Sequence, residues 1–285
     1  MTVLDRNYYN NVSVTAAVSL KNTRIGWKNY VQAITASSSA TGFPASSMLT
    51  SLTYEFWKPS TLPATIDIDL GRSRTCDYLG LGAHELGGCD IKLYYSLSDV
   101  TYTQVAFATL QNNTDVMLLF TPQAARYWRI EIDRAEPTLS ADFTLGDYSL
   151  WEGGTGFASL AVLFLGEAMP MQRMIYGGHT PGVFSRETSY SDNESEGGQW
   201  LGRSIVRQSL TEPFSFVNLT SDWVRDTFEP FLTHAETEPF FALWRPLGYA
   251  NECTFGRTQQ DIKPSNSGVR DFMSVTFTMS GYRGA

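Results

Sequence analysis

The run TIDIDLG, Thr65 to Gly71, decides the class of fold. Apolar and polar residues alternate in it with a period of two, the pattern of a strand with one face in a core and the other in water. Ile66, Ile68 and Leu70 are expected to point inward, Asp67 and Asp69 outward. DIKLYYS (Asp90 to Ser96) alternates in the same way. ARYWRIEI (Ala125 to Ile132) sets Tyr127, Arg129 and Glu131 on one face and Trp128, Ile130 and Ile132 on the other. LAVLFLG (Leu160 to Gly166) adds a final apolar strand. Between these runs lie clusters of turn formers, of which SSSATGFPASS (Ser37 to Ser47) reads as a surface loop. Short strands separated by turn signals every ten or so residues predict a β-sandwich.

A chain of 285 residues holds one large or two ordinary domains, and 42% hydrophobic with 18% charged residues is enough for a real core. Aromatic content of 13% suits β-structure, where flat side chains pack well on a pleated surface. The formal charge of −8 argues against a nucleic-acid partner, since a phosphate backbone calls for clustered Lys and Arg. The first residues, MTVLDRNYYNNVSV, lack the basic and then apolar pattern of a secretory leader, and no apolar run approaches the ~20 residues of a membrane span. Membrane insertion is therefore not expected. The three cysteines Cys76, Cys89 and Cys253 have no metal-ligand spacing. They read as thiols of a reducing compartment, with a Cys76–Cys89 pairing as the alternative.

A seam is expected near Gly166 to Pro170. Beyond it, Glu167 to Trp200 is rich in Gly, Ser and acidic residues and has little periodicity. It is too long and too polar for a simple linker and is expected to pack against a neighbouring subunit. RSIVRQSLTEPFSFVNL (Arg203 to Leu219) reads as two strands. SDWVRDTFEPFLTHAET, starting at Ser221, reads as a helix over about 221–235. Ser221 or Asp222 would cap it, Pro230 would kink it, and Trp223, Phe228, Phe231 and Leu232 recur at the spacing of one buried face. MSVTFTMSG closes the chain as a strand with Met273, Val275, Phe277 and Met279 inward. The expected domains are an N-terminal arm (1–19), a sandwich (20–166) and a smaller β-rich α+β or barrel unit with one helix (167–285).

No enzyme template fits. His84, His179 and His234 lie far apart, and none forms an H-x-x-x-H pair. A G-x-S-x-G elbow and a phosphate-binding G-x-x-x-x-G-K-[ST] loop are both missing. Asp67 and Asp69 could serve sugar hydrolysis as a carboxylate pair, but on an alternating strand two such residues are better read as a solvated face. Neither catalysis nor a cofactor or metal is expected.

The succession ITASS (Ile34 to Ser38), YEFWKPSTLPATIDIDLG (Tyr54 to Gly71), DIKLYYSLSDVTYTQVA (Asp90 to Ala106), FTPQAARYWRIEI (Phe120 to Ile132) and LAVLFLG resembles a discoidin-type, galactose-binding-like jelly roll. That resemblance implies ligand binding through loops at one end of the sandwich: Ser37 to Ser47, Tyr54 to Pro59 and Gly82 to Gly88. In them Trp57 would stack on a sugar, or pack under the jelly roll as the family's Trp does. His84 and Glu85 would bind sugar hydroxyls, or merely decorate a turn. The second half is similar to tail-tip proteins of long-tailed bacteriophages, carried by RETSYSDNESEGGQWLGR (Arg186 to Arg203), DWVRDTFEPFLTH (Asp222 to His234), WRP (Trp244 to Pro246), DIKPSNSG (Asp261 to Gly268) and the terminal VTFTMSG. This implies a virion subunit assembled in the host cytoplasm, of the distal-tail kind. It would form a hexameric or trimeric ring that joins the tail tube to the hub. In that family the ring-forming domain comes first and a further domain is inserted or appended, whereas here the sandwich is expected at the N-terminal side. The alternative function is a lectin or adhesin that recognises host-surface polysaccharide.

Overall fold

A computed structural model describes residues 20–134, 158–268 and 271–281; the expected N-terminal arm, 1–19, lies outside them. The fold is mainly β, and every strand pairing is antiparallel. The chain divides into two units. One holds the described residues of 28–168; the other joins residues 20–27 to the described residues of 169–281.

The first unit is a sandwich built on β2 (Ala33–Ala36), β3 (Ala64–His84), β4 (Cys89–Ser96), β5 (Thr103–Thr109), β6 (Val116–Arg134) and β7 (Leu160–Gly166). Its six strands run β2-β3-β6-β4-β5, with β7 on β3. The long strands β3 and β6 lie side by side through a corner, where their register slips between Asp69 and Arg74 and again between Cys76 and Tyr78. Before the corner β3 pairs with β2; after it, β3 pairs with β7. Gly71 makes the corner possible. Its φ is +72°, and a Cβ there would lie 2.1 Å from the Gln32 side chain. Ile66, Ile68 and Leu70 are buried as their alternation predicts, together with Trp128, Ile130 and Ile132 of β6. Cys76, Cys89 and Cys253 are all free and buried. Burial pushes the Cys76 thiol up to about 12, so it stays protonated and unreactive.

The second unit begins earlier in the chain than expected. Residues 20–27, assigned from sequence to the sandwich, hold β1 (Arg24–Gly26), which pairs with β8 (Met169–Pro170) and β11 (Phe240–Leu243). Three residues are too few for a period to be read, and Ile25 is buried in the second core, not the first. The sandwich is therefore an insertion in the sequence of the second unit. Its first and last residues meet. Tyr78 Oη donates to the Lys28 carbonyl at 2.8 Å, the Tyr30 amide donates to the Leu165 carbonyl at 2.9 Å, and Lys28 Nζ reaches Glu167 at 3.0 Å. Gly166 passes so close that a Cβ on it would lie 1.9 Å from the Lys28 carbonyl oxygen.

The remaining strands are β9 (Arg186–Glu194), β10 (Trp200–Thr220), β12 (Cys253–Thr258), β13 (Ser265–Asn266) and β14 (Phe272–Gly281). The eight-stranded sheet runs β8-β1-β11-β12-β14-β10-β9, with β13 on β14. This order does not close, so the described residues form an open sheet and not a barrel. Two sequence expectations change here. The stretch 167–200 contains a regular strand, β9, hidden from pattern reading because both its faces are in water. Arg203 to Leu219 belongs to one strand, not two. Its pairing with β14 shifts register at a bulge between Phe216 and Leu219, with Asn218 at φ +59°.

The helical segment comprises α1 (Ser221–Trp223), a π-helical turn (Val224–Phe228) and α2 (Glu229–Ala235). Pro230 explains the irregularity: it has no N–H to give, so it sits in the first turn of α2, after the π turn. Thr220, not Ser221 or Asp222, is the N-cap, and its side chain makes no cap bond. The Gln172 side chain holds it instead, accepting from the Thr220 amide at 2.7 Å and donating to Thr220 Oγ1 at 2.8 Å. The buried aromatics Phe214, Phe216, Phe228, Phe231, Phe240 and Phe277 form the second core, with Phe231 edge-on to Phe240 at 4.8 Å.

Candidate functional site

The loop of residues 37–63 crosses the end of the sandwich opposite the corner. It starts beside the first residues of β3, where Ser37 Oγ accepts from the Thr65 amide at 2.9 Å. It then reaches the far end of β3, since Trp57 exchanges backbone hydrogen bonds of 2.9 and 3.0 Å with Leu160, whose strand partner is His84. Inside the loop the Ala40 amide donates to the Lys58 carbonyl at 2.8 Å, and the Ser60 amide donates to Ser38 Oγ at 3.2 Å. A short 3-10 helix, Ala45–Leu49, tucks Met48 into the core. With its backbone groups paired in this way, the loop is a fixed platform.

Trp57 is the anchor of that platform and not its surface. It is fully buried, and its indole N–H lies 3.0 Å from the Ser38 carbonyl and 3.1 Å from Ser39 Oγ. The ring therefore has no face to offer a sugar. His84 is buried too. Its Nδ1 accepts from the Leu86 amide at 3.2 Å, which leaves Nε2 to donate to the Thr114 carbonyl at 2.9 Å. Burial holds its pKa down to about 4, so it is neutral and ties the 85–88 turn to the 112–115 turn. Of the three residues named from sequence, only Glu85 faces solvent, with its amide bound to the Ser159 carbonyl at 2.9 Å. Trp223, Phe228 and Phe231 belong to the second unit. Phe228 and Phe231 are fully buried, and the half-buried Trp223 stacks on Phe228 at 5.6 Å.

The aromatic surface lies on the neighbours of Trp57. Phe43 and Phe56 stack at 4.9 Å with ring planes 19° apart, and both remain partly exposed. Lys58 Nζ stands 5.9 Å from the Phe43 ring centre. Tyr54, two residues before Phe56, is 72% exposed. The signal was present in YEFWK (Tyr54 to Lys58): in extended chain, neighbours point to opposite sides, so a buried Trp57 sends Phe56 and Lys58 outward.

The outer face of the sandwich sheet is charged but self-satisfied. Arg129 Nε donates to Asp67 Oδ1 at 2.5 Å and lies 4.2 Å from the Tyr102 ring. Arg126 binds Asp69 through two bonds of 2.7 and 2.8 Å, which lower the Asp69 pKa. Both carboxylates suggested for hydrolysis are thus occupied by arginines. Among the described residues no three His, Cys, Asp or Glu side chains gather as a metal site would need.

In the second unit His179 and Glu212 are buried together. Their closest atoms are 3.2 Å apart, off the angle of a directed hydrogen bond. The other ring nitrogen of His179 donates to the Pro213 carbonyl at 2.8 Å. The imidazole lies between Phe214 at 5.1 Å and Trp244 at 4.7 Å. This position holds the 172–185 segment against β10.

No known family's sequence profile matches the chain, and no curated protein matches it. Several of the solved structures it resembles are carbohydrate-binding modules. Chitosan-binding module 1 of a chitosanase/glucanase from Paenibacillus sp. IK-5 is 21% identical, with 48% of this chain covering 98% of that one at a TM-score of 0.38. The family 32 module of C. perfringens NanJ, solved with galactose, is 19% identical over 50% of this chain and 98% of its own, TM-score 0.38. The corresponding module of AlyQ, solved with 4,5-unsaturated mannuronic acid, is 17% identical over 47% and 94%, TM-score 0.37.

Proposed function

We propose that the sandwich is a carbohydrate-recognition module and that its binding face is the loop bearing Phe43, Tyr54, Phe56 and Lys58. The observation that carries this reading is the partly exposed Phe43–Phe56 stack, with exposed Tyr54 nearby in sequence, on a loop anchored by backbone hydrogen bonds at Ser37, Ala40 and Trp57. A pyranose ring has an apolar face of C–H groups and a rim of hydroxyls. Flat apolar side chains beside a cationic donor match both, and a rigid loop lets them bind without first losing conformational freedom. Affinity electrophoresis of the full chain through gels cast with neutral and acidic polysaccharides tests the reading. At least one polymer should retard the protein. Tyr54→Ala and Phe56→Ala should each weaken retardation by about tenfold, near 1.4 kcal/mol, while Phe107→Ala on β5 should leave it unchanged. Free migration through every polymer, or retardation indifferent to both loop substitutions, rules the reading out.

A second reading is a structural subunit of a phage tail tip. What supports it is the nesting of the chain: β1 and everything after Ala168 make one unit, and the sandwich interrupts it between Trp27 and Met169. The family resemblance calls for a ring-forming unit that comes first and carries a further domain, and this is that order. The subunit would then reside in the virion, assembled from the host cytoplasm, with tube and hub proteins as neighbours. Negative-stain microscopy of the full-length protein separates the readings. Closed rings favour the tail subunit; single particles that still bind polysaccharide remove it.

A further inference from the structure

The hairpin of β9 and β10 extends beyond the core that supports the rest of its sheet. Between Arg186 and Gln208 no residue of either strand is buried. The ribbon is closed by a turn in which the Ser195 amide donates to the Gln199 carbonyl at 2.9 Å and Gly198 takes φ +75°. An isolated two-stranded ribbon is marginal in water, and its outer edge presents a row of unpaired backbone groups. That edge is β9, the last strand of the sheet among the described residues.

One face of the ribbon is not a solvent face in character. Tyr190 lies directly opposite Ile205, and Trp200 opposite Glu194. These three are 52%, 58% and 68% exposed. Between them Arg203 donates to Asp192 through bonds of 2.6 and 2.9 Å and lies 4.4 Å from the Tyr190 ring. The ribbon thus presents an ordered apolar stripe and an open edge together.

We infer that the β9 edge pairs with the β9 edge of a second copy of this chain, antiparallel and centred on Tyr190. The charges along the strand argue for this occupant. In that register Arg186 faces the second copy's Glu194 at each end, Glu187 faces Asn193, Thr188 faces Asp192 and Ser189 faces Ser191. All nine residues of β9 are used, and no like charges meet. Among the described residues neither Arg186 nor Glu194 forms an ion pair within the chain. Charges usually protect an exposed edge by repelling a second one; here their order makes the edge complementary to itself. Residues opposite each other in antiparallel strands point to the same face, so the two copies' stripes join as Ile205–Tyr190–Tyr190–Ile205 across four strands. Such a contact is isologous and closes at two copies, whereas a ring needs a head-to-tail contact. The inference does not depend on the glycan reading.

Sedimentation velocity on the full chain across a concentration series tests it, together with three charge variants. The native chain should reach a species of twice the chain mass. Arg186→Glu alone, or Glu194→Arg alone, places like charges at both ends of the contact and should raise the dimer dissociation constant about tenfold or more. The double exchange Arg186→Glu with Glu194→Arg should restore it, which a merely misfolded hairpin would not do. Tyr190→Cys should give an oxidation-dependent covalent dimer, because residues on the two-fold axis have Cα atoms ~5 Å apart, within disulfide reach. A monomer at every concentration overturns the proposal. So does a trimer or hexamer in which the Tyr190→Cys chains fail to cross-link, or a dimer indifferent to single charge reversal.

Discussion

Lowering the pH from neutrality should loosen the sandwich through His84. His84 is buried, and in the folded chain its pKa falls from the ordinary 6.5 to about 4 because burial penalises the imidazolium. The unfolded chain therefore takes up a proton near pH 6.5 that the folded chain refuses until about pH 4. Between those values the unfolded state binds more protons, so stability falls as pH falls, by about 1.4 kcal/mol per pH unit at most. The stability is fully present above pH 6.5, and across the window roughly 3 kcal/mol is lost. Asp69 acts lower: the Arg126 hydrogen bond lowers its pKa from 3.8, so it contributes only as pH drops below that ordinary value. The assay is hydrogen exchange by mass spectrometry from pH 7 to 4.5, corrected for intrinsic rates and read on peptides of β3 and β7. His84→Gln keeps a donor for the Thr114 carbonyl but cannot be charged. It should start less stable and show a flat profile over that range. Equal slopes for the native and His84→Gln proteins would refute the reasoning.

Three further outcomes follow from the packing. Gly166→Ala should destabilise the sandwich by about 1–3 kcal/mol, because the new methyl group meets the Lys28 carbonyl oxygen, which the Tyr78 hydroxyl holds in place; thermal melting checks it. Phe228→Ala should cost about 3–5 kcal/mol in the second unit and leave protection of β3 and β7 amides unchanged, since Phe228 lies wholly in the second core. His179→Leu should cost the second unit about 1–3 kcal/mol by removing the donor to the buried Pro213 carbonyl and the polar neighbour of Glu212. His179→Leu combined with Glu212→Leu should recover part of that loss in urea denaturation.

The parts of the fold that were legible in the sequence are those with one face in a core. Ile66, Ile68 and Leu70 alternate with Asp67 and Asp69, and the chain obeys that pattern to the residue. The same holds for Val275, Phe277 and Met279. Strand β9 escaped notice because alternation arises from burial, and β9 has none. Strand β1 escaped because three residues carry no period, although its pairing with β8 and β11 decides which unit owns the start of the described chain. Of the candidate site residues that the family resemblance suggested, Trp57 and His84 are buried and only Glu85 faces solvent. A large aromatic such as Trp57 and a histidine such as His84 satisfy their polar atoms with nearby backbone and then vanish into the core. A single sequence does not distinguish that from a binding role.

The burial of Trp57 and the exposure of Phe56 are one fact seen from two sides. The Trp57 indole fixes the loop to Ser38 and its backbone pairs with Leu160, and together these set the direction of the residues on either side of it. Replacing Trp57 would remove a core anchor and turn the outward row of Tyr54, Phe56 and Lys58 at the same time, so loss of sugar binding in such a variant would say nothing about contact with the sugar. Tyr54→Ala is the cleaner probe. Its ring is mostly in solvent and supports no core, so a fold that melts as before and binds polysaccharide less tightly locates the binding face on the outer row of the loop. If Tyr54→Ala binds as the native protein does while Trp57→Phe does not, the loop matters only as part of the fold, and the recognition face must be sought elsewhere on the sandwich.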